Sequence, residues 1–162
     1  MIRRLFATAN DYSLTVLRLV LGAVFVVHGA QKMLGWFGGY GYHATMAGFT
    51  GRGIPAFLAF LAIAAEFFGG IGLIVGLLSR VAALGILCNM VVAIAAVHAK
   101  FGFFMNWAGN QKGEGYEYHL LAIAICLAIA LKGSGALSLD RVIAGNARES
   151  EAAPRVQDAL AA

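Results

Sequence analysis

Four runs of apolar residues, at 14–34, 55–78, 81–99 and 118–131, leave this chain few ways to fold. A helix crossing the hydrocarbon of a bilayer needs about 20 apolar residues, because no water is present there to satisfy its peptide groups. The first three runs reach that length. The fourth reaches it only by taking in Tyr116, Glu117 and Lys132. Composition agrees with a lipid-facing surface: 60% of the chain is apolar and 12% charged, where a soluble domain carries roughly a quarter charged residues. The expected fold is an all-α, integral membrane antiparallel four-helix bundle with interfacial outer loops. Residues 1–13 form a cytoplasmic N-terminal segment, 14–135 the transmembrane domain and 136–162 a cytoplasmic tail, with a short surface helix at 138–147 before a disordered stretch.

Charge placement narrows the partners. The net charge of +4 comes from basic residues scattered singly, with no run beyond Arg3 and Arg4, which argues against nucleic acid and for contact with a lipid bilayer. Arg3, Arg4, Arg80, Lys132, Arg141, Arg148 and Arg155 fall on one side of the expected membrane, and Arg52, Lys100 and Lys112 on the other. That bias puts both termini in the cytoplasm of a multi-pass protein of the bacterial inner membrane. Arg18 and Lys32 are expected to snorkel to opposite faces. The first run is long for a secretory signal and has no convincing cleavage site, so it reads as a retained span. Cys88 and Cys126 lie inside apolar stretches without metal-type spacing and read as packing residues. Loops 35–53 and 100–115 are rich in Gly and aromatics, suited to the headgroup zone and to folding over the outer mouth of the bundle.

Ionisable groups at membrane depth cost about 2.5–3.5 kcal/mol each on insertion, so each needs a reason. His28, Gln31 and Lys32 are spaced i, i+3 and i+4 on one helix face. At about 1.5 Å per residue, His28 lies about 21 Å and Glu66 about 18 Å from the inner ends of two oppositely running spans. His98, Glu117 and His119 fall near the outer ends of the third and fourth. Polar groups from four helices thus meet in the outer half, where Lys32 or His28 is the expected partner of Glu66. Plainer readings apply to single residues: His43 belongs to a loop, Asn89 is an interhelical hydrogen-bonder and His98 an interfacial histidine. The Gly-rich stretch 35–41 follows no strand and is not a nucleotide loop.

The motifs resemble the DoxX family of small four-span bacterial membrane proteins over nearly the whole chain. The resemblance rests on Leu17-Arg18-Leu19, His28-Gly29-Ala30-Gln31-Lys32-Met33, Ala65-Glu66-Phe67-Phe68-Gly69-Gly70 and Gly76-Leu77-Leu78-Ser79-Arg80. Phe103-Phe104, Gly115-Tyr116-Glu117-Tyr118 and the closing stretch from Gly133 to Asp140 complete it. Where the family form has Gly-Pro-Gly, this chain has Gly133-Ser134-Gly135, a change expected to lose rigidity and little else. The resemblance implies a subunit of a quinone-linked oxidoreductase, related to a component of thiosulfate:quinone oxidoreductase and linked to sulfur and redox-stress metabolism.

The leading expectation is a membrane subunit that binds a quinone, or another lipophilic redox substrate, in the outer-half polar pocket. Glu66, His28 and Lys32 are its catalytic candidates: His28 or Lys32 polarises a carbonyl oxygen and Glu66 delivers a proton. Gln31, Glu117, His119 and His98 are its substrate-binding candidates, with Glu117 and His119 leading to outside water. No dinucleotide fingerprint or iron–sulfur cysteine set is present, so electrons come from a partner protein or a bound cofactor; a homo-oligomer is also compatible. The alternative is a scaffold or assembly subunit of a redox-stress complex, with purely structural polar residues. A bis-histidine haem protein using two of His28, His98 and His119, and a small-solute transporter, are lesser alternatives.

Overall fold

The computed structural model describes residues 5–145. Arg3, Arg4, Arg148, Arg155 and the stretch expected to be disordered lie outside the described residues. Within them the fold is all-helical, and three helices are long and apolar enough to cross a membrane. These are α1 (Tyr12–Met33), α3 (Ala56–Val75) and α4, which begins at Ser79–Ala93 and continues by altered turns to Phe101. A short helix α2 (Gly41–Thr50) lies between α1 and α3, and α5 (Glu117–Lys132) follows α4. At 16 residues α5 is shorter than these three spans, reaching about 24 Å.

The packing begins with α1 and α3, which run in opposite directions. A Cβ placed on Gly22 would sit 2.9 Å from Ile74, one on Gly70 2.6 Å from the Val26 nitrogen, and one on Gly29 2.5 Å from Phe67. As the α1 partner advances, the α3 partner retreats. Three glycines therefore let two backbones touch, the small-residue packing that drives helix association in lipid. α3 packs on α4, α4 on α5, and α5 returns to touch α1. Leu21, Phe25, Leu73, Ile86, Cys126 and Ile129 are among the residues filling the space between them. Large residues such as Leu61, Phe68, Leu84 and Leu121 face outward, as a surface solvated by acyl chains requires.

One end of this helix assembly carries the long loops (the loop end); the other carries the tight α3–α4 junction (the turn end). At the turn end, buried charges satisfy helix termini. Arg18 does not snorkel to the surface as its position suggests; it is 1% exposed. It donates to the carbonyls of Leu73 and Ile74 at the end of α3 and to those of Ser134 and Leu137. A guanidinium has five donors and no acceptor, so the unpaired carbonyls of a helix C-terminus suit it in charge and in geometry. Arg80 does the same for Ala130 and Leu131 at the end of α5.

The start of α4 has no cap of its own. Gly76 (φ 71°) and Leu78 (φ 50°) are both left-handed, which makes the α3–α4 turn tight. The first amides of α4 are then bonded from far along the chain: Asp140 accepts from Leu78 N at 2.7 Å and from Ser79 N at 3.0 Å. Its carboxylate is 1% exposed and also accepts from Ser134 Oγ. Ser134 thus does more than replace a rigid residue, because it supplies a hydroxyl donor that proline lacks. Residues 133–138, bent by left-handed Gly133 and Gly135, carry these groups across the turn end, and residues 139–145 form the expected short helix. The expected start of the tail at 136 falls inside this buried cluster.

Asp140→Ala orphans two amides and a hydroxyl. Hydrogen bonds to a charged group contribute about 1.5–3 kcal/mol each, so a loss of at least about 3 kcal/mol is expected, read as a lower Tm in detergent. Asp140→Asn, which keeps one acceptor oxygen, should fall between; an alanine variant melting with the wild type would contradict the capping role.

Candidate functional site

α1 brings Lys32 to the loop end through its buried stripe. Arg18, Gly22, Phe25, Gly29 and Lys32 follow spacings of four and three, so one face carries the charges and the contact glycines. Gly29 meets the α3 backbone at Glu66 and Phe67. That close approach places the carboxylate beside Lys32, one turn on. Lys32 Nζ and Glu66 Oε2 form an ion pair in which the Lys32 side chain is 30% exposed and that of Glu66 7%. Asn89, from α4, donates to Glu66 Oε1 at 3.3 Å and to the Ala62 carbonyl at 2.8 Å. Both carboxylate oxygens are engaged, and three helices are joined through one side chain.

The other sequence-predicted residues divide. His28 does not join this cluster: it is exposed on the outward face of α1 and lines a shallow groove of about 400 Å³ with Ala23, Val24 and Val27. The i, i+4 relation to Lys32 holds, but Gly29 is the residue that faces α3, so its neighbour His28 is turned about 100° away. Gln31 donates to the Phe37 carbonyl at 3.2 Å and ties the start of the first loop to α1. Glu117 accepts from Trp107 Nε1 at 3.1 Å, among loop residues.

His98 and His119 do come together, their ring centroids 4.1 Å apart and tilted by 44°. His98 Nδ1 lies 2.8 Å from the Glu114 carbonyl, whereas His119 is 6% exposed and its Nδ1 has no partner. A metal held between two imidazoles stands about 2 Å from each nitrogen, with the rings on opposite sides of a porphyrin. Rings in contact leave no gap for one, so this pair does not fit a haem, and His28 lies on another surface. Among the described residues no group of three or more His, Cys, Asp or Glu side chains could hold a metal ion.

Sequence reasoning passes over Tyr118. Its hydroxyl is buried without a partner, and the residue packs against the core cluster that includes Met90, the neighbour of Asn89. Its neighbour His119 is the available signal. Asp140 is likewise visible only as part of a motif, because its role depends on amides 61 and 62 residues away.

The loops dress this end. α2 is half-buried at most and packs on α1 and α3. Trp36, Phe37, Tyr40, Phe104 and Trp107 are exposed around the rim, a belt of the kind that sits at headgroup level.

A DoxX family model matches residues 13–99, more than half of the chain. This chain belongs to the DoxX family. It is 34% identical to "Putative oxidoreductase CatD" of Bacillus subtilis over 77% of this chain and 82% of that protein. It is 29% identical to "Inner membrane protein YqjF" of Escherichia coli over 83% of this chain and 94% of that protein. "Inner membrane protein YphA" of Escherichia coli is 26% identical over 84% and 94% respectively. No solved structure matches the chain. Family membership and the three apolar helices together make this DoxX protein an integral membrane protein in contact with lipid.

The unequal burial of the ion pair yields a test. Lys32→Met strands a buried carboxylate, with an expected loss of about 3 kcal/mol, the low end for a buried unpaired charge. Glu66→Gln strands an ammonium that already reaches the surface and should destabilise less. The double variant should recover part of the larger loss in thermal unfolding. Equal single losses that simply add would contradict a specific pair.

Proposed function

We propose that this DoxX protein is the membrane subunit of an oxidoreductase and takes a quinone, or a similar lipophilic redox substrate, at the loop end of α1. The observation that carries the reading is a buried carboxylate, Glu66, paired with an ammonium that stays 30% open. An intramembrane ion pair with one open member is a hydrogen-bond donor in a medium that offers few others. The groove at His28 is apolar apart from its imidazole, and it opens outward, the direction from which a lipid-dissolved ring would arrive. The groove's lining includes His28 but not Lys32, so a ring at its His28 end would take one N–H from the imidazole and extend one turn along α1 to take the other from the ammonium. The name of the Bacillus relative supports redox chemistry.

A quinone becomes a quinol by taking two electrons and two protons. The electrons come from a protein partner, since the chain has only two cysteines and no dinucleotide fingerprint. The chain's own residues handle protons. Lys32 donates to the carbonyl oxygen and transfers its proton as negative charge develops there. The adjacent Glu66 carboxylate holds the ammonium in place; once it has itself taken a proton from water it passes that proton to the amine, which then delivers the second. Asn89 fixes the second carboxylate oxygen, so the carboxylate keeps its orientation throughout.

We further propose that α5 completes an antiparallel four-helix bundle, its 16 residues extended to bilayer thickness by Tyr116 and the segment after Lys132. The loop end then faces outward and both termini face the cytoplasm of a bacterial inner membrane. A C-terminal fluorescent-protein fusion that folds only in the cytoplasm should be bright; a dark fusion on inserted protein would reverse the topology.

Quinone binding is tested on the full chain in lipid nanodiscs. A short-chain quinone should quench tryptophan fluorescence saturably, and Lys32→Met and His28→Leu should each raise Kd about tenfold, the equivalent of one lost hydrogen bond. No saturable binding by the wild type, or binding that neither change alters, removes the reading. A scaffold role is favoured by a different observation: both oxygens of Glu66 are already occupied by ties between helices. Under that role the same variants lower Tm and partner recovery together, with no quinone binding to lose.

A further inference from the structure

α4 does not end as it begins. Over Ile94–His98 it passes into π geometry, and over Ala99–Phe101 into a 3-10 turn. A π turn takes in one extra residue and rotates the remainder of the helix by about 100° relative to α register. Its hydrogen bonding is poorer, so such turns persist where a side chain must be re-aimed. The side chain at the end of this one is His98, which lies against the His119 ring. The Glu114 carbonyl beside His98 Nδ1 can only accept. Nδ1 therefore carries the hydrogen, and Nε2 is the basic nitrogen.

Against His98 lies His119, whose Nδ1 is buried without a partner, and the hydroxyl of Tyr118, whose ring meets that of His119, is a second such atom. His119 itself is more than nine-tenths buried. Orphaned groups of this kind are rare in folded proteins and are the usual hosts of buried water. Tyr118 also packs against the core cluster that includes Met90, whose neighbour Asn89 holds Glu66. On the other side, further along α5, the buried residues are Ala122, Cys126 and Ile129. The polar line therefore runs one way, from Glu66 towards the loop end.

We infer that Tyr118, His119 and His98 line a hydrated proton-transfer path joining the Lys32–Glu66 pair to the aqueous face at the loop end. A proton taken up at His98 Nε2 leaves from that same nitrogen, since Nδ1–H stays on the Glu114 carbonyl; it passes through water to His119 Nδ1, leaves from that atom in turn, and reaches the Tyr118 oxygen, whose own hydrogen is released onward. Each ends as it began. The net change is one proton moved from water to the Glu66 carboxylate or to a Lys32 amine that has given up its own, and no electron moves. Glu117, tied to Trp107, stands outside the line. Use of the path in quinone reduction rests on the reading above; its existence does not.

Two measurements on the full chain in nanodiscs test it. In water-edited solid-state NMR of labelled wild-type protein, the His119 and Tyr118 side chains should gain water polarisation as fast as His98, while Ala122 stays dry. A dry His119 and Tyr118 would overturn the path. Hydrogen exchange at the buried Tyr118 hydroxyl, followed on its proton signal, should slow about 10²-fold in His119→Phe, the low end for losing a positioned proton carrier. His119→Asn, which retains a polar group for water, should restore part of the rate. Exchange at the wild-type rate in His119→Phe would overturn the path equally. Neither readout needs a quinone, so a failure of quinone binding falls on the proposed function and leaves this result standing.

Discussion

A helix inside a bilayer cannot hand its terminal peptide groups to water, and the turn end of this fold is organised around that restriction. The chain turns sharply there, yet its backbone has few neighbours able to accept or donate. The solution is charge. A guanidinium sits on the last carbonyls of α3, another on those of α5, and a carboxylate on the first amides of α4. Each sign matches the helix end it meets. Arg18 and Asp140 are therefore expensive to bury and still favourable, because the alternative is a set of unpaired peptide groups in hydrocarbon.

The loop end is built on the opposite plan. Its charges are paired, but not closed off: Lys32 remains part-exposed beside Glu66, and the interior of α5 begins with polar atoms that the protein does not satisfy. At the turn end the charges are taken up by helix termini, although the buried Ser79 hydroxyl has no partner; at the loop end an open ammonium stands with unpartnered polar atoms on two adjacent residues. This difference in where charge is used, capping helix ends at one side and left part-open at the other, is the basis of the function proposed above. It also explains why the glycine stripe matters to the site, since only a backbone approach at Gly29 brings the carboxylate of α3 under the ammonium of α1.

The sequence is enough to identify a membrane protein, its apolar spans and the family, because run length and hydropathy respond directly to bilayer thickness. The pairing of Lys32 with Glu66 is legible from matched depth in antiparallel helices, and Asn89 as a tie between helices from its isolation in an apolar run. His28 departs from its expected place for a physical reason. Spacing of i and i+4 shows that two residues share a face, but not which face turns inward; that is decided by where Gly22 and Gly29 allow contact. Arg18 reads as a snorkelling residue in the sequence since its acceptors lie on other segments. Asp140 and Ser134 are opaque because their bonds span the chain, and Tyr118 because an unmet hydroxyl is a property of its surroundings.

The dependence of the α3–α4 turn on a residue 62 positions later orders events during biosynthesis. When that hairpin leaves the ribosome and enters the membrane, its left-handed Leu78 and the bare start of α4 have nothing to hold them. The hairpin must wait in a loosened state until Asp140 emerges. Maturation of the fold is thus a late, ratchet-like step, in which a segment made near the end of synthesis latches a junction made long before, and a chain terminated early would reach the membrane with its hinge unfastened.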